Sequence, residues 1–311
     1  VMGNTAAHGG LNEGYQGTRP THIQGSGRGI FAGGRTPSFL SSMETVVIAT
    51  QGNGNDFGNL AATTRDVANA SSSTRALTAG GYVSDYTDTI ESVEMATEGN
   101  GSDFGNLLAG TYSAQTGNIG NTTRGIFSGG HVSPAQTNVM QYVTIATVGN
   151  TTDFGNLSLA RQDIAGVSNS TRGINGGGVK AASPFQTNVM DYITIASTGD
   201  ATDFGDLLTE KNDGVGLSSS TRGTFGGGYI SSAVTNVNEY VTIASTGNST
   251  DFGNLTVARQ DLAGASNSTR GIIAGGAAPG VSTGNSADFS DLTSVKRGPA
   301  GNSDSHGGLQ G

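Results

Sequence analysis

The sequence predicts an all-β fold made of repeated four-stranded units, on three observations. First, the 311 residues include 52 Gly but only 6 Pro, with 34% hydrophobic and 13% charged residues. Ser, Thr, Asn and Gly fill the remainder, which suits strands and turns, while the helix formers Lys, Glu and Gln are scarce. Second, a phrase ending in Gly-Gly recurs with its Arg at Arg28, Arg75, Arg124, Arg172, Arg222 and Arg270, spaced 47 to 50 residues apart. Third, a phrase G-[ND]-x-x-D-F-[GS]-[ND]-L carries Asp56, Asp103, Asp153, Asp203, Asp251 and Asp288 at a similar spacing, until the last interval shrinks to 37. A period near 48 with Gly-Gly and aromatic marks suggests propeller blades or another solenoid-like array.

Residues 161–207 show how one unit divides. "DIAGVSNS" is small and semi-apolar, as a crowded innermost strand requires. "TRGINGGG" follows across a tight turn and stops at its glycines. "NVMDYITIAS" is the longest strand, with Val189, Ile193 and Ile195 on one face and Met190, Tyr192 and Ala196 on the other. Both faces are largely apolar, so this strand is expected between two neighbouring sheets. The turn "TGDAT" leads to "DFGDL", the fourth strand. A series of such sheets, each needing a neighbour on both faces, closes most naturally into a ring.

The ends depart from this pattern. Between Gly276 and Asp288 the "NVxxY" strand is missing, which accounts for the short interval. "GNTAAHGGL" at 3–11 resembles "GNSDSHGGL" at 301–309. Both can be laid over the "GNxxDFGxL" phrase, with His8 or His306 in place of Phe. Alternatively, "KRGPAGNSDS" matches the innermost strand "ARQDLAGASNS". On either alignment residues 1–14 and 296–311 are expected to be closure strands of a single domain spanning 1–311. Six units plus a composite blade give seven blades, and six is the alternative if the end pieces fill the gap in the sixth unit.

An apolar strand ending in Gly-Gly, then a Tyr-bearing strand, an aromatic about a dozen residues on, then Leu and often Arg, resembles the kelch repeat. Phe154 and Phe204 take the place of the kelch Trp, and Arg161 and Arg259 sit where the kelch Arg falls. The wording "NVxxYxTIAxxGNxxDFGxL…STRGxxxGG" looks like a kelch-like subtype of marine tailed-phage virion proteins, especially those of cyanophages. The resemblance covers nearly the whole chain and departs from eukaryotic kelch in having no Trp. It implies a kelch-like β-propeller and a structural part of a phage particle, such as a tail fibre, appendage or capsid decoration. Expected partners are then other virion proteins, in multiple copies per particle, and host surface glycan. The expected location is the virion or the extracellular space. The competing class is a secreted or cell-surface carbohydrate-binding propeller, and a propeller enzyme ranks third.

The net charge of −9 disfavours nucleic acid and anionic membrane as partners. No apolar run approaches the ~20 residues of a membrane span. Without Cys, disulfides are excluded and a copper-radical oxidase site cannot form. The four histidines, His8, His22, His131 and His306, have no metal-ligand spacing, so no enzyme activity, metal or cofactor is expected. The "GDATDFGD" stretch with Asp200, Asp203 and Asp206 does not follow the EF-hand spacing and reads as turn capping. "GINGGG" lacks the Lys-Ser/Thr of a phosphate loop, and its glycines are expected to allow positive φ and close backbone approach. In a kelch-type blade Arg172 and Asp203 share a face, so the recurring Arg is expected to bridge Asp203 or Asp153.

The segments after each Gly-Gly share little: "RTPSFLSS", "YVSDYTD", "HVSPAQT", "VKAASPFQT", "YISSAVT" and "AAPGVST". Under the kelch topology they emerge on one face. Aromatic-bearing, divergent loops on a repeated scaffold suit recognition. Phe39, Tyr82, Tyr86, His131, Phe185 and Tyr229 are the candidate binding residues.

Overall fold

The computed structural model describes residues 27–50, 52–114, 117–278, 292–293 and 296–309. They form a β-propeller. Each blade is an antiparallel sheet, and in blades two to five the strands run outward in chain order. Blade two, for example, consists of Ala68–Ser71, Arg75–Ala79, Thr89–Glu94 and Ser102–Asn106. Blade three is Ile119–Gly120, Arg124–Ser128, Val139–Thr144 and Thr152–Asn156. Blade four is Ala165–Ser168, Arg172–Gly176, Val189–Thr194 and Thr202–Asp206. Blade five is Val215–Ser218, Arg222–Gly226, Val237–Thr242 and Thr250–Asn254.

Blade one is built differently, and it corrects the expected number of blades. Its second, third and fourth strands, Arg28–Ala32, Ser38–Val47 and Asn55–Thr64, come from the first unit. Its innermost strand is Ala300–Ser303, paired with Arg28–Ala32 in the register Gly29↔Ser303 to Ala32↔Ala300. The alignment with "ARQDLAGASNS" therefore holds for the C-terminal stretch. The closing strand joins the first unit instead of founding a composite blade, so the expected seven do not form. The sixth unit contributes the two-stranded sheet Gln260–Ser266 and Gly271–Ala277, which sits between blades five and one. Among the described residues there are thus five blades, fewer than the seven or six expected. The other expected closure strand, residues 1–14, lies outside the described residues.

The core lies between blades. In blades one to four the Phe of the outer strand packs against aliphatic residues of the next blade's third strand: Phe57 with Val93 and Met95, Phe104 with Val143 and Ile145, Phe154 with Ile193 and Ile195, Phe204 with Val241 and Ile243. These four rings are at most 2% exposed. Burying each Phe contributes about 1.5–3 kcal/mol.

The Gly-Gly pair stitches neighbouring blades. In blade four, Gly177 and Gly178 have φ of 68° and 113°. The Gly178 amide donates to the Lys211 carbonyl at 2.8 Å, across the boundary with blade five. A Cβ on Gly178 would lie 2.6 Å from the Gln162 carbonyl oxygen, so both the turn and the close approach require glycine. The same donation recurs around the ring, from Gly34, Gly81, Gly130, Gly228 and Gly276 to Thr64, Thr111, Arg161, Arg259 and Lys296.

Four of the residues in that acceptor position also carry buried cations, and three of them pair with an acid. Arg161 pairs with Asp191 at 2.8 Å, Lys211 with Glu239 at 2.6 Å and Lys296 with Glu44 at 3.1 Å. Each acid sits on the third strand of the blade. Blade three carries the neutral version, with Thr111 and Gln141 at the corresponding positions.

Candidate functional site: the aromatic face

Six residues close a ring of backbone hydrogen bonds around the propeller axis. The Asp66 amide donates to the Gly298 carbonyl, Ser113 to Asp66, Asp163 to Ser113, Asp213 to Asp163, Asp261 to Asp213 and Gly298 to Asp261, over 2.8–3.3 Å. All six have φ between 52° and 60°, a left-handed conformation that Asp tolerates better than most residues. The four Asp side chains gather around a cavity of about 20 Å³, room for a single water molecule.

The crowded carboxyls perturb one another. Burial, reinforced by Asp66 and Asp261, pushes the Asp163 carboxyl up to about 7. Burial and the neighbouring carboxyls Asp163, Asp261 and Asp66 raise Asp213 well above the ordinary range. Burial raises Asp66 as well, against the opposing pull of Arg65. Each carboxyl also has a local partner: Arg65 for Asp66, Gln162 at 2.9 Å for Asp163, Asn212 at 2.7 Å for Asp213, and Arg297 at 2.7 Å for Asp261.

Immediately outside this ring, on the same face, lies a cluster of aromatic side chains. Arg65 and Tyr82 exchange backbone hydrogen bonds, as do Tyr112 and His131, so the connection between blades and the segment after Gly-Gly run side by side. This brings five rings together from three consecutive blades. Tyr86 stacks on Tyr112 with centroids 4.6 Å apart. His131 meets Tyr86 at 5.4 Å and Tyr112 at 5.3 Å. Tyr82 meets Tyr86 at 6.0 Å, Tyr112 at 6.4 Å and Phe39 at 5.9 Å. The Arg65 guanidinium lies 5.3 Å from the Phe39 ring and 5.1 Å from that of Tyr82, a distance at which cation–π attraction operates. All five rings are half-buried. Burial, with Tyr86 and Asp163 nearby, raises the Tyr112 phenol above its ordinary value. The His131 Nδ1 is buried and has no hydrogen-bond partner among the described residues.

Four of the six candidate residues, Phe39, Tyr82, Tyr86 and His131, therefore meet. Phe185 is 57% exposed on blade four, and Tyr229 is bridged to Asn212; neither makes a ring contact with the cluster. Tyr112, Arg65 and the carboxyl ring were not singled out from the sequence. The signal for the ring is present, since Asp66, Asp163, Asp213 and Asp261 each stand nine residues before a recurring Arg. Ser113 breaks that pattern, and Tyr112 lies in a connection that looks like any other.

The opposite face holds the recurring Arg and Asp, and there the expected bridge is corrected. Arg172 pairs with neither Asp203 nor Asp153. Its Nη1 donates to the Ile243 carbonyl of the next blade at 3.0 Å, and its head lies 4.3 Å from the Tyr192 ring. Arg28, Arg75, Arg124 and Arg270 make the equivalent bond to Met95, Ile145, Ile195 and Ile48 over 2.8–3.1 Å. Asp56, Asp103, Asp153, Asp203 and Asp251 are exposed, and Asp288 lies outside the described residues. A carbonyl left free where a strand ends is the better acceptor here, because it is held by the sheet and already half-desolvated. Among the described residues no group of three or more His, Asp or Glu is placed to hold a metal ion.

No family model matches the chain, and no curated protein matches it.

Proposed function

We propose that this protein is a non-enzymatic recognition element, displayed in multiple copies on a phage particle as part of a tail fibre, appendage or capsid decoration, and that it binds glycan through the Phe39–Tyr82–Tyr86–Tyr112–His131 patch. The particle assignment rests on the resemblance of the repeat wording to marine phage virion proteins. The binding assignment rests on one observation: five half-buried rings from three blades converge on one face. Such rings offer flat apolar area to the C–H faces of a sugar, with phenol hydroxyls at hand for its hydroxyl groups. Side chains with two torsions lose little entropy on binding. Weak single contacts suffice on a particle, because multivalency can raise affinity ~10²–10⁴-fold.

The test is a glycan array probed with the wild type and with the Tyr86→Ala/Tyr112→Ala double variant. We expect a discrete set of glycans bound by the wild type, at least tenfold weaker binding by the double variant, and little change for Phe185→Ala. No bound glycan, or binding untouched in a folded double variant, would refute the assignment. Copurification with virions at fixed stoichiometry tests the location separately.

A further inference from the structure

Blade five presents a surface that every other blade has covered. Phe252 is 53% exposed, whereas its counterparts Phe57, Phe104, Phe154 and Phe204 are at most 2% exposed. Arg222 lies over the Tyr240 and Phe252 rings, but among the described residues its head has no carbonyl acceptor of the kind Arg28, Arg75, Arg124, Arg172 and Arg270 share. Arg259 takes the position of Arg161, Lys211 and Lys296. It donates to the Gly275 carbonyl at 3.2 Å, yet it has no acid opposite it among the described residues, and burial alone lowers its pKa. These groups line one open cleft of about 640 Å³, walled also by Leu217, Leu255 and Ile273.

One missing part accounts for all three. In the two sectors where that cation is Arg161 or Lys211, a single third strand supplies an acid for the buried cation, two aliphatic residues for the Phe, and a carbonyl for the Arg. In blade four these are Asp191, Ile193 and Ile195, at positions i, i+2 and i+4. In blade five they are Glu239, Val241 and Ile243. The interval from Gly276 to Asp288 is too short to carry that strand. Among the described residues, Gly271–Ala277 pairs with Gln260–Ser266 only, so its other edge has no strand beside it.

We propose that this cleft is a strand-acceptor site, filled by an extended segment of another polypeptide with a carboxylate followed at the second and fourth positions by aliphatic residues. The carboxylate meets Arg259, the first aliphatic covers Phe252, the second continues that cover, and the second aliphatic's own carbonyl accepts from Arg222. Main-chain pairing along Gly271–Ala277 supplies the rest, as in other cases of strand addition at a sheet edge. The charge complement of a buried arginine selects this occupant over a purely apolar one.

The probe is a synthetic peptide of residues 188–198, NVMDYITIAST, added to the full chain. We expect saturable one-to-one binding by calorimetry, a raised Tm, and new hydrogen-exchange protection at 271–277. A peptide with Asp191→Asn should bind at least tenfold more weakly, and so should the wild-type peptide to a Phe252→Ser chain. The proposal is overturned by amides 271–277 already protected in the chain alone, by no binding at millimolar peptide, or by equal affinity for the Asn peptide.

Discussion

Replacing Asp191 by Asn removes one charge and almost no volume from the middle of blade four. Arg161 and Asp191 are both fully buried and 2.8 Å apart. Asp191 also accepts from the Ser158 hydroxyl at 2.6 Å, a bond that Asn can keep through its carbonyl. Arg161 retains its bonds to the Val189 carbonyl at 3.0 Å and the Asn175 carbonyl at 3.3 Å. What is lost is the one full negative charge, among the described residues, against a guanidinium that stays positive. Breaking a buried pair by removing one partner costs about 3–5 kcal/mol, and the two remaining carbonyls place this case at the low end, ~3 kcal/mol. Against a typical total stability of roughly 5–15 kcal/mol, that loss is readily measured by urea unfolding. Adding Arg161→Met removes the stranded cation, so the double variant should be more stable than the sum of the two single losses predicts, with a coupling on the order of 1–3 kcal/mol. A loss below about 1 kcal/mol for Asp191→Asn, or strict additivity in the double variant, would mean that the carbonyls alone satisfy Arg161 and that the pair is incidental.

His306 is buried, bonds through Nε2 to the Ser71 carbonyl at 2.9 Å and accepts the Gly308 amide at Nδ1. Burial lowers its pKa to about 4, so the unfolded chain takes up a proton below pH ~6.5 that the folded chain refuses. The advantage of the wild type over His306→Gln should therefore be full above pH ~6.5 and shrink as pH falls to about 4, by up to ~3 kcal/mol. Asp163, with its raised pKa, gives a slope of opposite sign, but it is common to both proteins and cancels in the difference. A pH-independent difference between the two urea curves would show that His306 is not held neutral. Gly308→Ala should lower Tm by several degrees, because a Cβ there would collide with the Gly120 carbonyl oxygen, and overpacking typically costs about 1–3 kcal/mol; an unchanged Tm would mean that Gly308 does not pack against the inner strand of blade three.

The repeat made the architecture legible because its physical demands are local. Alternation in "NVMDYITIAS" fixes a strand covered on both faces, and Gly-Gly marks the turn that only glycine can make. The Arg was misassigned for an equally physical reason. Its partner is a main-chain carbonyl, which every residue has and which leaves no mark in a sequence, whereas the Asp of the "DFG" phrase is conspicuous and exposed. The aromatic patch was half visible. Phe39, Tyr82, Tyr86 and His131 stand in divergent segments, but their convergence depends on the angle between adjacent blades, and Tyr112 reaches the patch from a connection between them. The number of blades was hidden because strand exchange places residues 300–303 in the sheet begun by residues 28–32, and the sequence permits that register and others equally well.

That exchange also sets the order of assembly. The amides of Gly27 and Arg28 are bound by the Asp304 carboxylate, 277 and 276 positions further along the chain. Blade one therefore has no inner strand, and the carbonyl–amide hoop through Gly298 has no sixth link, until nearly all the intervening residues have been synthesised. Blades two to five take all four of their strands from contiguous sequence and can form as they emerge. The long closure adds little free energy, since its entropic cost grows only as the logarithm of loop length, but it adds delay. During that delay blade one is a sheet with an open inner edge, exposed to whichever chain arrives first. A clasp fastened last is where two nascent copies would cross over.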